Sequence, residues 1–262
     1  MRTGRVKVRR GRPGAVSWAI ALAVTMLMVY LITLDVGQKE ETAVAAMPAG
    51  ERVTKEVAFA PLEMHCVQFG SFADASNARI EAARYVGRGA AGYVYDDGEN
   101  FRVLGAGYSQ KSDAERVAKR IAEEEDIDCV VFSHTAEEVK MRITAGEKQI
   151  EAILAADEAL RTQVEQFGEL AFKIDRGELT GEAARTIIAV QASQVRDVLE
   201  DLKAIPGENP VYRGLTGQVE FLSATLDLLS YKNTETDLSL SGKIKYNYIS
   251  VRLGYIDFLR SL

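Results

Sequence analysis

The sequence predicts a mixed α+β protein in three parts: an N-terminal transmembrane helix, a middle domain of strands and helices, and a C-terminal all-α bundle. Three observations predict this fold class. A long uncharged apolar segment lies near the N-terminus, strand and helix patterns alternate over residues 62–136, and helical apolar stripes run through residues 146–262.

The first part is a single membrane-spanning helix at residues 15–34. These residues carry no charge, and at about 1.5 Å of rise per residue they span about 30 Å, the thickness of a hydrocarbon core. Residues 1–14 form a basic segment without an acid, whereas Asp35 follows the apolar run directly. Because Lys and Arg stay on the cytoplasmic side, we expect a single-pass protein of the cell membrane with its N-terminus inside and its body outside.

Two alternatives remain open for residues 15–34. They could form a buried core helix, although the run is long and sharply flanked by charge. They could also belong to a cleaved signal peptide, because Ala43-Val44-Ala45 has the small-x-small form of a cleavage site. The apolar run exceeds the roughly 7–15 residues of a signal peptide, and cleavage would still export the body.

Residues 35–61 predict a linker. They mix Ala, Glu, Lys and Val without a firm period, and they contain Pro48, Gly50 and Pro61. Such a segment connects the anchor to the first folded domain.

Residues 62–136 alternate between strand and helix patterns. The predicted elements are a strand at 65–72, a helix from Asp74 or Ser76 to Gly87, strands at 91–95 and 100–108, a helix from Ser112 or Asp113, and a strand at 129–132. The order β-α-β-β-α-β predicts a ferredoxin-like sheet with both helices on one face. The other face would then be solvated or would bind a ligand.

Residues 146–262 predict a four-helix bundle or long helical hairpins. Four apolar stripes have helical spacing, and Asp175-Arg176-Gly177 and Pro206-Gly207 interrupt them. In one stripe, residues 211, 215, 219, 222, 226 and 229 step by three and four positions, which is typical of a bundle seam. The short connections favour antiparallel neighbours, and the boundary with the middle domain falls between Thr135 and Ile150.

Composition limits the partners. The 262-residue chain has a formal net charge of −6, whereas a nucleic-acid-binding protein normally presents a basic face. We therefore expect no nucleic acid partner.

The middle domain carries a set of residues at the spacing of a known family. They are, in order, Val67-Gln68-Phe69-Gly70-Ser71-Phe72, Asn77-Ala78, Phe101-Arg102-Val103, Tyr108 and Asp113-Ala114. On these residues the domain resembles the SPOR domain, the sporulation-related repeat that binds bacterial peptidoglycan. Where the family usually has Val-Gly-Pro, residues 105–107 are Gly-Ala-Gly, which predicts a looser or bulged strand.

The resemblance implies binding to septal glycan strands from which the stem peptides have been removed. Such strands offer hydroxyls, amides and sugar faces, which suit amide, hydroxyl and guanidinium groups beside an aromatic ring. The candidate glycan-binding residues are Gln68, Ser71 and Arg102, with Phe101 or Tyr95 stacking on a sugar.

Two of these candidates have structural alternatives. Arg102 could instead form an ion pair with Asp96, Asp97 or Glu99. Phe101 could face the helices and belong to the core.

The two cysteines, Cys66 and Cys129, fall on the first and last predicted strands, which are antiparallel neighbours in a ferredoxin-like sheet. Export permits a disulfide, which requires Cα atoms within about 7 Å and thus the right register. Two free thiols are the alternative. A metal site that adds His65 and His134 is disfavoured, because antiparallel counting leaves Cys129 too far along its strand.

We expect no catalytic activity, no cofactor and no metal. SPOR domains often accompany peptidoglycan-cleaving enzymes, but no histidine or cysteine follows His134, so the bundle lacks the ligands of a zinc amidase. A carboxylate-pair glycosidase has no visible scaffold.

The sequence thus predicts a non-catalytic envelope protein that binds peptidoglycan glycan strands, at division or sporulation septa. The rival hypothesis is an envelope scaffold whose main work is association with divisome or other envelope proteins through its bundle. In the rival hypothesis, glycan binding serves only for localisation.

Overall fold

The computed structural model describes residues 52–205, 209–231 and 235–262, which belong to one compact unit. The predicted transmembrane helix at 15–34 and most of the predicted linker lie outside the described residues. Within the described ranges, no helix combines the length and apolar character needed to cross a bilayer.

The described chain contains six strands and six helices. The strands are β1 Arg52–Phe59, β2 Leu62–Phe72, β3 Tyr93–Asp96, β4 Phe101–Tyr108, β5 Val130–Ala136 and β6 Val139–Gly146. The helices are α1 Ala75–Val86, α2 Lys111–Glu125, α3 Glu147–Asp175, α4 Gly181–Lys203, α5 Pro210–Ser230 and α6 Asp237–Arg260.

The middle domain has the predicted ferredoxin-like sheet, with antiparallel strands in the order β3-β4-β2-β5. Helices α1 and α2 pack on one face, where Ala78, Ala82 and Val103 are buried together. As predicted, Asp74 caps α1, because its Oδ1 accepts hydrogen bonds from the backbone N–H groups of Ser76 and Asn77 at 2.9 and 3.0 Å. Helix α2 begins slightly earlier than predicted.

The predicted irregularity at residues 105–107 is a β-bulge. Val67 pairs with Ala106 whereas Gln68 pairs with Leu104, which leaves Gly105 as an extra residue in β4. A Cβ atom at Gly105 would lie 2.1 Å from Cε2 of Phe69. The missing side chain therefore gives the Phe69 ring its place on the helix side of the sheet.

Strands β1 and β6 form a separate two-stranded antiparallel ribbon, which was not predicted. The assignment of residues 52–59 to a linker is therefore wrong. Val57 and Phe59 are buried and belong to the same core as Ile150 of α3. An isolated two-stranded ribbon is marginally stable in water, so this packing against α3 stabilises it.

After Gly146 the described chain contains four helices, so the C-terminal region is helical as predicted. Helices α3–α4, α4–α5, α5–α6 and α3–α6 pack against each other. The predicted seam of α5 is buried at Leu215, Val219, Leu222, Leu226 and Leu229.

Helix α6 also packs on the sheet face opposite α1 and α2, against all four strands. The expectation that this whole face is open is therefore wrong. Met64, Cys66 and Leu104 point toward α6 and are fully buried. Burial of each large apolar side chain contributes about 1.5–3 kcal/mol, so the helix is a firmly attached part of the middle domain.

Gly107 of β4 lies directly against α6. A Cβ atom there would lie 2.1 Å from Cε of Met64 and 3.2 Å from Cγ1 of Ile249. Polar contacts add to the attachment: Arg252 Nη2 donates to the carbonyl oxygen of Glu63 at 3.2 Å, and Lys245 Nζ donates to that of Gly89 at 2.7 Å.

Candidate functional site

The candidate site is the part of the sheet face that lies beyond the C-terminal end of α6. Strand pairing places Tyr95, Arg102 and Ser71 side by side across β3, β4 and β2. Tyr95 and Arg102 are half-buried and Ser71 is exposed. Three of the five predicted glycan-binding residues thus form one row on one face.

Arg102 is the centre of this surface. Its Nη1 donates to Oε1 of Gln68 at 3.0 Å, and its Nε donates to Oδ2 of Asp97 at 2.5 Å. Its guanidinium carbon lies 4.9 Å from the ring centroid of Phe132, a cation–π contact. The guanidinium is therefore held in one orientation while the side chain stays 27% exposed.

Asp97 is ionised, and its carboxylate forms an ion pair with Arg102. The backbone N–H groups of Asn100 and Glu99 donate to Asp97 Oδ1 at 2.7 and 2.9 Å. These bonds, followed by the one from Arg102, lower the pKa of the Asp97 carboxyl below its ordinary value. The alternative that Arg102 pairs with a nearby acid is thus correct, and the pair orients the guanidinium toward the surface.

Gln68 lies at the predicted face but is buried. Its amide oxygen accepts from Arg102, so in this structure it supports the guanidinium and does not face solvent.

Phe101 lies on the opposite face from Arg102. It packs with Phe69, Phe72 and Val94 around the core formed by α1 and the sheet. The prediction that Phe101 stacks on a sugar is therefore wrong, because alternation along β4 gives it the same face as buried Val103. The half-buried aromatics beside Arg102 are Tyr95, its partner in the strand pairing, and Phe132, which makes the cation–π contact.

A polar cluster joins this surface to the end of α6. Asp257 Oδ1 accepts from Nε2 of His134 at 2.6 Å, and both carboxylate oxygens lie 3.3 Å from the Tyr95 hydroxyl. Arg260 Nη1 lies 3.2 Å from Nδ1 of His134. The same Nη1 lies 3.4 Å from Nε2 of His134, so the guanidinium contacts both ring nitrogens.

Tyr95 bridges the two edges of the sheet across this surface. It belongs to β3 and contacts His134 of β5, although two strands lie between them. Burial, and then the nearby charge of Asp257, raises the pKa of Tyr95 to about 12. The hydroxyl therefore stays a proton donor at neutral pH.

The sequence left a disulfide and two free thiols open as alternatives, and in this structure Cys66 and Cys129 are free thiols. Cys66 pairs with Phe132 across the ladder and is buried beneath α6, whereas the Cys129 sulfur donates to the carbonyl oxygen of Ala118 in α2. The two thiols thus lie on opposite faces of the sheet. Among the described residues, no group of three or more His, Cys, Asp or Glu side chains is placed to hold a metal ion.

Four residues of this surface were not predicted: Phe132, His134, Asp257 and Arg260. The last strand was predicted only to residue 132, so the sequence did not decide which face of the sheet carries Phe132. For α6 a signal was present, because Ile249, Leu253 and Ile256 form a second apolar stripe beside the predicted one. A helix that is apolar on two sides is buried on two sides.

This arrangement combines half-exposed aromatic rings with fixed guanidinium, hydroxyl and carboxylate groups. Rings can pack on sugar faces, and the polar groups can exchange hydrogen bonds with hydroxyls and acetamido groups. The fold and the surface thus define a ligand-binding module of the ferredoxin-like class.

The comparison with protein families gives the particular module. Residues 63–133 match the family model of the SPOR domain, the peptidoglycan-binding family that the motif residues of this segment resemble. The SPOR domain is a binding domain and its family is non-catalytic. No curated protein and no solved structure matches the chain.

Proposed function

We propose that this chain is a membrane-anchored, non-catalytic protein that binds peptidoglycan glycan strands outside the cytoplasm through residues 63–133. Division or sporulation septa are the proposed setting, because the resemblance to the SPOR domain implies binding to septal glycan strands without stem peptides. The observation that carries the proposal is the SPOR domain match over these residues. The charge-free segment at 15–34, with basic residues before it, supports the anchor.

The surface around Arg102 is the proposed ligand contact. Arg102 presents part of a fixed guanidinium beside Phe132 and Tyr95, and exposed Ser71 can add a hydroxyl contact. Gln68 is assigned the supporting role of holding Arg102.

The test is cosedimentation of the full chain, in mild detergent, with sacculi whose stem peptides have been removed and with untreated sacculi. Arg102→Ala should weaken binding to stripped sacculi about tenfold or more, because a hydrogen bond to a charged group contributes about 1.5–3 kcal/mol. Arg196→Ala is the matched control, since Arg196 is an exposed arginine that pairs with Asp227 within the bundle.

Absence of pelleting by the unmodified chain would refute the proposal. Equal binding by Arg102→Ala and the unmodified chain would refute the assigned surface. The whole chain is needed, because a fragment without the bundle would expose Met64, Cys66 and Leu104.

A second candidate function is the scaffold, in which the bundle binds another envelope protein. Three exposed apolar residues favour it: Phe221 and Leu228 lie on one side of α5, Tyr231 follows the end of that helix, and they are exposed by 44%, 72% and 77%. If septal placement of a fluorescent full-length fusion survives Arg102→Ala but is lost in a Leu228→Glu variant, the scaffold is the better description.

A further inference from the structure

We propose that the last turn of α6 is one wall of the glycan-binding surface, and that Asp257 and Arg260 contact the ligand together with the sheet. This inference rests on the proposed function, because it assigns two more residues to the same surface. It makes the bundle part of the binding module.

The first argument is that α6 is attached permanently. Met64, Cys66 and Leu104 of the sheet and Ile249 of α6 are fully buried in one continuous core. At Gly107 the sheet lacks a side chain, and Ile249 and Tyr248 of α6 pack against that position. A helix with this contact is a fixed neighbour of the ligand surface and not a removable cover.

The second argument is where α6 ends. The helix stops at Arg260, and the surface with Arg102, Phe132 and Ser71 begins there. Asp257 is 48% exposed although it bonds to buried His134. The carboxylate therefore lies at the edge of the surface, open to solvent on one side and fixed by the sheet on the other.

The third argument is chemical. A carboxylate offers about four acceptor positions, and His134 and Tyr95 do not occupy all of them. Arg260 is exposed and points one Nη at His134, which leaves other donors of its guanidinium to solvent. Sugar hydroxyls can donate to Asp257, while acetamido carbonyls can accept from Arg260.

The experiment measures binding of full-length variants to stripped sacculi. Asp257→Asn removes the charge at constant size, and Arg260→Ala removes the exposed guanidinium. Each should weaken binding about tenfold, as expected for the loss of a charge-assisted hydrogen bond. The matched control is Asp227→Asn, since Asp227 is 50% exposed and also ion-paired but lies on α5; it should bind like the unmodified chain.

The outcomes separate the two proposals. If the unmodified chain does not bind, the proposed function fails. If it binds and both Asp257→Asn and Arg260→Ala bind equally well, the wall proposal is wrong while the proposed function stands. Tighter binding by both variants would also overturn it, because α6 would then obstruct the surface. Arg260→Ala keeps the test decisive if Asp257→Asn fails to fold, since Arg260 is the exposed last residue of the helix.

Discussion

Replacing Ile249 with alanine should weaken the attachment of α6 to the sheet. Ile249 is fully buried and lies against the Gly107 position. The change removes three carbon atoms, which corresponds to about 2.4 kcal/mol of transfer free energy at about 0.8 kcal/mol per carbon. With the cavity left behind, the free energy of unfolding should fall by about 3–4 kcal/mol.

The thiol of Cys66 reports this attachment directly. It is fully buried beneath α6, and burial raises its pKa above the ordinary value for cysteine, so it reacts with a thiol reagent only after opening. Because about 1.4 kcal/mol corresponds to a factor of ten, Ile249→Ala should speed labelling of Cys66 by about two to three orders of magnitude.

The assay follows labelling in a Cys129→Ser background, together with urea unfolding monitored by circular dichroism. Leu228→Ala is the control, because Leu228 is 72% exposed and its loss should change stability by less than about 0.5 kcal/mol. If Ile249→Ala lowers the unfolding free energy but leaves Cys66 labelling unchanged, α6 does not protect the sheet and the reasoning is wrong.

Two further variants test local features. Gly105→Ala places a Cβ 2.1 Å from the Phe69 ring and should destabilise the protein by about 1–3 kcal/mol; a melting temperature equal to that of the unmodified chain would contradict the bulge. Folding raises the pKa of Tyr95 to about 12. Above about pH 10 the hydroxyl therefore ionises in the unfolded chain while it is still protonated in the folded chain. The free energy of unfolding should fall between about pH 10 and 12 for this reason. Tyr95→Phe should reduce that fall in urea unfolding curves, and an unchanged pH dependence would contradict the assigned environment.

The local patterns in the sequence predicted the bundle and the ferredoxin-like sheet correctly. Stripes such as Leu215, Val219 and Leu222 repeat over many turns, so neighbouring residues already define the buried side of each helix. Residues 105–107 are Gly-Ala-Gly where the family usually has Val-Gly-Pro, and this local difference predicted the bulge. A glycine in a strand often marks a bulge, because it has no side chain to pack.

The features that depend on distant contacts were not predicted. Strand β1 pairs with β6, and its Val57 faces Met141 far along the chain, so neither short segment identifies its partner. Whether a sheet face is open or covered depends on which helix docks there, and Asp257 reaches His134 only through the path of α6. The role of Gln68 changed for the same reason, since only the folded sheet brings Arg102 onto its amide.

The β1–β6 ribbon has a mechanical consequence. Arg52 pairs with Gly146 at the end of the ribbon where β6 leads into α3, and Phe59 pairs with Val139 at the other end. A force that draws residue 52 outward along the strand axis acts on the whole ladder in shear, so its hydrogen bonds must fail together and not one after another. If the chain is anchored through its N-terminal segment as proposed, it would therefore resist extension at this ribbon before tension reaches the four-stranded sheet.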